Sequence, residues 1–121
     1  MRNYKNYQVW QKSHELCLLI YKEIITQFPK EETFALASQL RRAAYSVPLN
    51  IVEGCGRNSD KDFVHFLDIA LGSAHETEYC ILLSRDLGYI SLGDFEKINN
   101  ATNEVKAMLI KLIKSIRNES I

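Results

Sequence analysis

Apolar residues recur every three or four positions through almost the whole chain, and Pro29, residues 54–58 and Gly88 interrupt the pattern. Steps of three and four are the period of one helix face, whereas strands alternate at every second residue. The pattern predicts four helices, over residues 8–27, 32–53, 60–87 and 92–118. Because short connections force neighbouring helices to run antiparallel, we predict a single-domain, all-α, up-down-up-down four-helix bundle.

The first helix is unusually rich in apolar residues. Its predicted core stripe is Trp10, His14, Cys17, Tyr21, Ile24 and Phe28, and further apolar residues lie outside that stripe at Leu16, Leu18, Leu19, Ile20 and Ile25. A helix that is apolar on more than one face is buried on more than one face. We therefore predict that the second face meets another subunit. The alternative is a broad core face with a few exposed leucines.

The second helix contains Pro48, whose missing N–H cannot bond the carbonyl of Ala44. A kink or an early end is therefore predicted there. In an antiparallel pair, Arg42 falls level with Glu76 of the third helix. A partly buried Arg42–Glu76 ion pair would fix the register of the two helices. Two solvated side chains are the alternative.

The helix ends carry local signals. Ser59 and Ser91 each precede an acidic residue by three positions, which is typical of an N-terminal capping box. Gly88 suits the left-handed residue that ends many helices. The fourth helix shows a strict heptad seam, formed by Phe95, Ile98, Thr102, Val105, Leu109, Leu112 and Ile116.

Composition and charge exclude several classes of protein. Fifteen basic and fifteen acidic residues give a net charge of zero, which excludes a globally basic nucleic-acid-binding protein but not a local basic patch. No apolar run approaches the ~20 residues that span a bilayer, and the start of the chain does not resemble a signal peptide. The three cysteines, without CxxC spacing, indicate free thiols in a reducing cytoplasm.

The sequence offers little for catalysis or metal binding. Di-iron bundles need two Glu-x-x-His motifs, and this chain has one loose version, Asp62-x-x-His65. His14 and Cys17 have the spacing of half a zinc site, but His75 and Cys80 lie too far along the third helix to complete it. There is no glycine-rich phosphate loop. We expect no enzyme activity, no catalytic or metal-ligating residue and no cofactor.

One run of the second helix is distinctive: QLRRAAYSVPLNIVEG at positions 39–54, followed by Arg57. It resembles the signature of the four-helix-bundle proteins encoded in intervening sequences of 23S ribosomal RNA genes. VWQK at positions 9–12 and FLDIALGSA at positions 66–74 agree with that family, whereas Val52 stands where alanine is usual. The resemblance covers nearly the whole chain. It implies structural roles for the motif residues Arg42, Pro48, Asn50, Glu53, Gly54 and Glu76.

The resemblance also implies a homopentameric ring of bundles in the bacterial cytoplasm. In a related branch, the accessory variability proteins of diversity-generating retroelements, a basic pentamer binds nucleic acid and a reverse transcriptase. Most family members have no assigned biochemical activity. The resemblance therefore implies the fold firmly and leaves the function open.

The bundle is predicted to have one basic end. The start of helix one, the turn between helices two and three and the end of helix four should share that end, and residues 1–13, 50–63 and 106–121 together carry a net charge of +5. Such an end would attract RNA or DNA phosphates through salt-sensitive contacts. The candidate nucleic-acid-binding residues are Arg2, Lys5, Arg57, Lys61, Lys111, Lys114 and Arg117. A solvated helix end is the alternative.

Two functions remain open at this point. The first is a non-enzymatic homo-oligomeric adaptor that contacts nucleic acid, with a protein partner such as a reverse transcriptase. The second is a purely protein-binding or structural oligomer without nucleic-acid contact.

Overall fold

The computed structural model describes residues 2–119, which form a bundle of four helices. Helix α1 begins at Gln8 as an α-helix and ends at Gln27 after a π-helical and a 3-10 turn. The other three helices are α2 (Leu36–Cys55), α3 (Asp60–Asp86) and α4 (Leu92–Glu119). Each helix packs against its neighbours in a closed cycle, α1 on α2, α2 on α3, α3 on α4 and α4 on α1. The predicted four-helix bundle is therefore confirmed.

The predicted core stripe of α1 is wrong by one position. The buried residues are Val9, Ser13, Leu16, Ile20 and Ile24, while most of the predicted stripe is half-buried or exposed. Ser13 reaches the core because its hydroxyl donates to the carbonyl of Trp10 at 2.9 Å, which satisfies the polar atom locally. Trp10 packs half-buried against the edge of the core and stacks on the exposed His14, with ring centroids 5.1 Å apart.

The second helix begins four residues later than predicted. Residues Lys30–Glu32 form a 3-10 turn instead, and the Glu32 carboxylate accepts the N–H of Leu36 at 3.4 Å. Glu32 also accepts the hydroxyl of Tyr89 at 2.7 Å, which ties this connection to the segment between α3 and α4. The acidic side chain therefore acts from outside the helix rather than in its first turn.

Pro48 is buried inside α2, and the helix continues past it to Cys55. The predicted early end at Pro48 is therefore wrong, and the kink stays a prediction.

The predicted capping signals at Ser59, Ser91 and Gly88 are confirmed by their hydrogen bonds. Ser59 accepts the N–H of Asp62 and Ser91 accepts the N–H of Asp94, each at 3.1 Å. Gly88 has a φ of 76°, and the next amide donates to the carbonyl of Ser84, as in a Schellman motif. The seam of α4 is also buried, except that Ile113 takes the place of half-buried Leu112.

No helix within residues 2–119 has the length and apolarity needed to cross a bilayer.

Candidate functional site

The start of the chain, the α2–α3 turn and the end of α4 meet at one end of the bundle. The backbone N–H of Arg2 donates to the carbonyl of Cys55 at 3.2 Å. From the other side, the guanidinium of Arg117 donates to the carboxylate of Asp68 on α3 at 2.8 Å. Short connections thus bring together segments that are far apart in sequence. We call this the basic end, the end that carries Arg2, Lys5, Arg57, Lys61, Lys111, Lys114 and Arg117.

The three arginines of the basic end are paired with carboxylates. Arg2 pairs with Asp60, Arg57 with Glu53 at 3.4 Å, and Arg117 with Asp68. Two of them also lie over aromatic rings, Arg2 over Phe63 at 4.2 Å and Arg57 over Phe66 at 4.7 Å. These contacts hold the turn and the chain start in place, so much of the arginine charge is compensated within the bundle.

Four lysines of the basic end, Lys5, Lys61, Lys111 and Lys114, are exposed and make no ion pair with any residue in the range 2–119. The charge of +5 counted from the sequence also included Lys12 and Lys106. These two pair with Glu104 at 3.9 Å and with Glu78 at 3.2 Å. The cationic surface is therefore smaller than the sequence predicted.

A groove of about 330 Å³ opens beside these lysines, between the start of α1 and the end of α4. Its walls are mainly apolar, with Lys111 at the rim. The lining residues are Tyr7, Gln8, Val9, Met108, Lys111, Leu112 and Ser115.

The motif residues Glu53 and Gly54 shape the α2–α3 turn. A Cβ atom at Gly54 would lie 2.9 Å from Cδ1 of Phe63 and 3.2 Å from its carbonyl oxygen, so only glycine allows this approach. Glu53 contributes by pairing with Arg57 across one helical turn. Both residues therefore serve the structure of the turn.

The predicted Arg42–Glu76 ion pair is absent among the described residues. Arg42 is exposed, and the Glu76 carboxylate accepts instead from the side-chain amide of Gln39. Arg42 and Glu76 nevertheless line the same polar groove between α2 and α3. Asn50 stays on its own helix and donates to the carbonyl and the hydroxyl of Ser46, at 2.8 and 2.9 Å.

An apolar face covers the outer side of α1 and α2. We define this α1–α2 face by the exposed side chains of Leu18, Tyr21, Tyr45 and Leu49. Helices α1 and α2 pack against each other, so these side chains lie on neighbouring helices. Tyr45 and Leu49 were not predicted from the sequence as surface contacts. They follow Arg42 by three and seven residues, which places all three on one face of α2 outside its core stripe. This spacing was the available signal.

The three thiols are free and partly or fully buried. Burial raises the pKa of Cys17, Cys55 and Cys80 above the ordinary thiol value, which disfavours the nucleophilic thiolate. Within residues 2–119, no group of three or more His, Cys, Asp or Glu side chains is arranged to hold a metal ion.

Comparison with known proteins identifies the family. A family model described as 23S rRNA-intervening sequence protein matches residues 5–111. A 1.70 Å crystal structure of a protein of unknown function, from the S23 ribosomal protein family of Bacteroides thetaiotaomicron, is similar with a TM-score of 0.81 and 34% identity, covering 88% of this chain and 95% of that one. No curated protein matches the sequence. Because the family model spans most of the chain, the protein belongs to the 23S rRNA-intervening sequence protein family.

Proposed function

We propose that this protein is a non-enzymatic, homo-oligomeric helical-bundle adaptor of the bacterial cytoplasm, assembled through the α1–α2 face. The observation that carries the proposal is the exposure of the large apolar side chains that define that face. Four of its large apolar side chains are exposed on two adjacent helices, and Leu49 alone is 51% exposed. Large apolar side chains exposed together on neighbouring helices are typical of protein–protein contacts.

The border of the face supports the same interpretation. Glu15 and Lys22 flank Leu18 and Leu19 in a shallow depression on α1. An apolar centre with a polar rim is the usual arrangement at subunit interfaces. Five subunits are expected from the family resemblance.

Light scattering coupled to size exclusion tests the assembly. The parent chain should elute at about five times its 14.0 kDa subunit mass at micromolar concentration. The variant Leu49→Glu should shift the mass towards that of a monomer, because it places a charge in the centre of the face. Leu92→Glu is the matched control, since Leu92 is 63% exposed but lies at the start of α4. A parent mass equal to one subunit, or equal shifts in both variants, would contradict the proposal.

A second function is the binding of RNA or DNA at the basic end. It is favoured by the four lysines there, which have no ion-pair partner within residues 2–119. Phosphate contacts would dominate, so affinity should fall steeply with salt and depend little on sequence. The double variant Lys111→Glu and Lys114→Glu should abolish a gel shift of labelled RNA at low salt. Lys30→Glu, an exposed lysine in the connection before α2, should leave the shift unchanged.

Absence of any shift by the parent at low salt would leave a purely protein-binding oligomer. A reverse-transcriptase partner, which the family resemblance links to nucleic-acid binding, would then lose its support. A reverse-transcriptase gene beside this one would instead favour the nucleic-acid function.

A further inference from the structure

The polar groove between α2 and α3 is distinct from both the α1–α2 face and the basic end. It has a volume of about 270 Å³, and its lining is almost entirely polar. Its residues come from the distinctive run of α2 and from the facing part of α3. They are Gln39, Arg42, Ala43, Ser46, Ser73 and Glu76.

The floor of the groove is fixed by hydrogen bonds. The hydroxyls of Ser46 and Ser73 are 2.9 Å apart and bond each other across the two helices. The amide of Asn50 donates to the same Ser46 oxygen and so orients it from behind. Two hydroxyls that share one hydrogen bond use one of their two hydrogens. The other hydrogen is not used in a hydrogen bond within residues 2–119, and the small side chain of Ala43 lines the groove beside the two serines.

The walls carry opposite charges that do not neutralise each other. Arg42 makes no ion pair or side-chain hydrogen bond with any residue of the described range 2–119, although it lines the groove. On the facing helix, one oxygen of the Glu76 carboxylate accepts from the amide of Gln39. This contact orients the carboxylate, and its second oxygen accepts no hydrogen bond from the described part of the chain. The groove therefore presents a cation, an anion and a hydroxyl donor around one small space.

We infer that this groove binds a small zwitterion of the α-amino acid class. The carboxylate of such a ligand would take the planar fork of Arg42 together with the spare hydroxyl hydrogen. Its ammonium group would donate to Glu76. A phosphate dianion would be repelled by Glu76 and a simple amine by Arg42, so a ligand with both charges fits best. The inference does not depend on nucleic-acid binding at the basic end.

Nuclear magnetic resonance titration of the full chain tests this site, with the backbone amides of Ser46 and Ser73 as reporters. The probes are the standard amino acids, with sodium acetate, methylammonium and inorganic phosphate as half-ligands. At least one amino acid should give saturable shifts and bind about tenfold or more tightly than any half-ligand, because only the zwitterion engages both charges. Lack of saturable shifts with every amino acid would overturn the inference.

Variants separate the two charges. Arg42→Gln and Glu76→Gln should each weaken binding of that amino acid by about tenfold or more, and Ser73→Ala should weaken it less. Arg41→Gln is the matched control, because the neighbouring Arg41 donates to the carbonyl of Thr33 and does not line the groove. Unchanged affinity in both charge variants, or equal loss in the Arg41 control, would overturn the site. Acetate binding as tightly as the amino acid would overturn its zwitterionic character.

Discussion

At Gly54 and at the contact between Ser46 and Ser73, helices α2 and α3 approach each other closely, whereas α1 and α4 leave an apolar groove of about 330 Å³ between them. Small residues explain the close approach, since Gly54 sits against Phe63 and the Ser46 and Ser73 hydroxyls bond across the helices. On the other side, the groove is lined by Met108 and Leu112, which are only half-buried. A small side chain at a contact lets two backbones come close, whereas the half-buried Met108 and Leu112 border an open groove.

Replacing one leucine on each side of the bundle with alanine tests this comparison. These substitutions have the largest expected effect on stability. Leu67 on α3 has no exposed surface, so Leu67→Ala should lower the free energy of unfolding by about 2–5 kcal/mol through lost burial and a residual cavity. Leu112→Ala widens an existing groove and should lower the free energy of unfolding by about 1 kcal/mol. Urea unfolding measures both. Equal costs would show that the two sides are equally well packed.

Glycine substitutions test the close approach directly. A Cβ at Gly54 meets the buried Phe63 ring at 2.9 Å, and Gly54→Ala should therefore cost about 1–3 kcal/mol by overpacking. Around Gly72, no neighbouring element of the described chain has an atom within 4 Å of the position that a Cβ would take. Gly72→Ala should therefore stabilise α3 by about 0.5–1 kcal/mol. The same unfolding measurement should give opposite signs, and a neutral Gly54→Ala would contradict the tight contact.

The N-terminal caps of α3 and α4 test whether the two sides of the bundle also differ in local structure. Ser59 caps α3 and Ser91 caps α4 with hydrogen bonds of equal length. Replacing either with alanine should cost about 1 kcal/mol, measured by thermal or urea unfolding. Similar costs would assign the difference between the two sides to packing. A much larger cost at one cap would assign part of it to the helix ends.

The smallest expected effect is a dependence of stability on alkaline pH. Burial raises the pKa of Cys55 and Cys80 above 9.0, the ordinary thiol value. Their contribution is fully present below that value and is lost as pH rises through the folded-state pKa, because the unfolded chain releases the thiol protons first. Urea unfolding between neutral pH and about pH 9.5 should show the fall. The double variant Cys55→Ala and Cys80→Ala should show a flatter dependence, and an unchanged slope would contradict the assignment.

Much of the fold could be predicted because its signals are local. The serine caps, the glycine at the end of α3 and the heptad seam of α4 each depend on a few neighbouring residues. The stripe of α1 could not be predicted in the same way. Ser13 is buried and the stacked His14 is exposed, although serine is usually the more exposed of the two residue types. The hydroxyl of Ser13 bonds the carbonyl of Trp10, which explains why burying the serine costs little free energy.

The candidate surfaces were only partly predictable. Charge counting along the sequence located the basic end, but it could not show that Arg2, Arg57 and Arg117 are each paired with a carboxylate. Arg42 shows the converse case, because the register suggested a partner in Glu76 and Gln39 occupies that carboxylate instead. Which of two side chains bonds a shared partner depends on small differences in distance. The periodicity of the sequence does not give these distances.

The amino-acid pattern by itself determined the number of helices, their order and their antiparallel arrangement, because periodicity, breakers and caps act over a few residues. Tertiary structure alone decided which side chains share a surface. Only packing sets the distance between two helices. A short distance gives the close contact at Gly54, and a longer one gives the groove beside Leu112. The same packing gathers residues 39–46 and 73–76 around one polar groove and leaves the α1–α2 face uncovered.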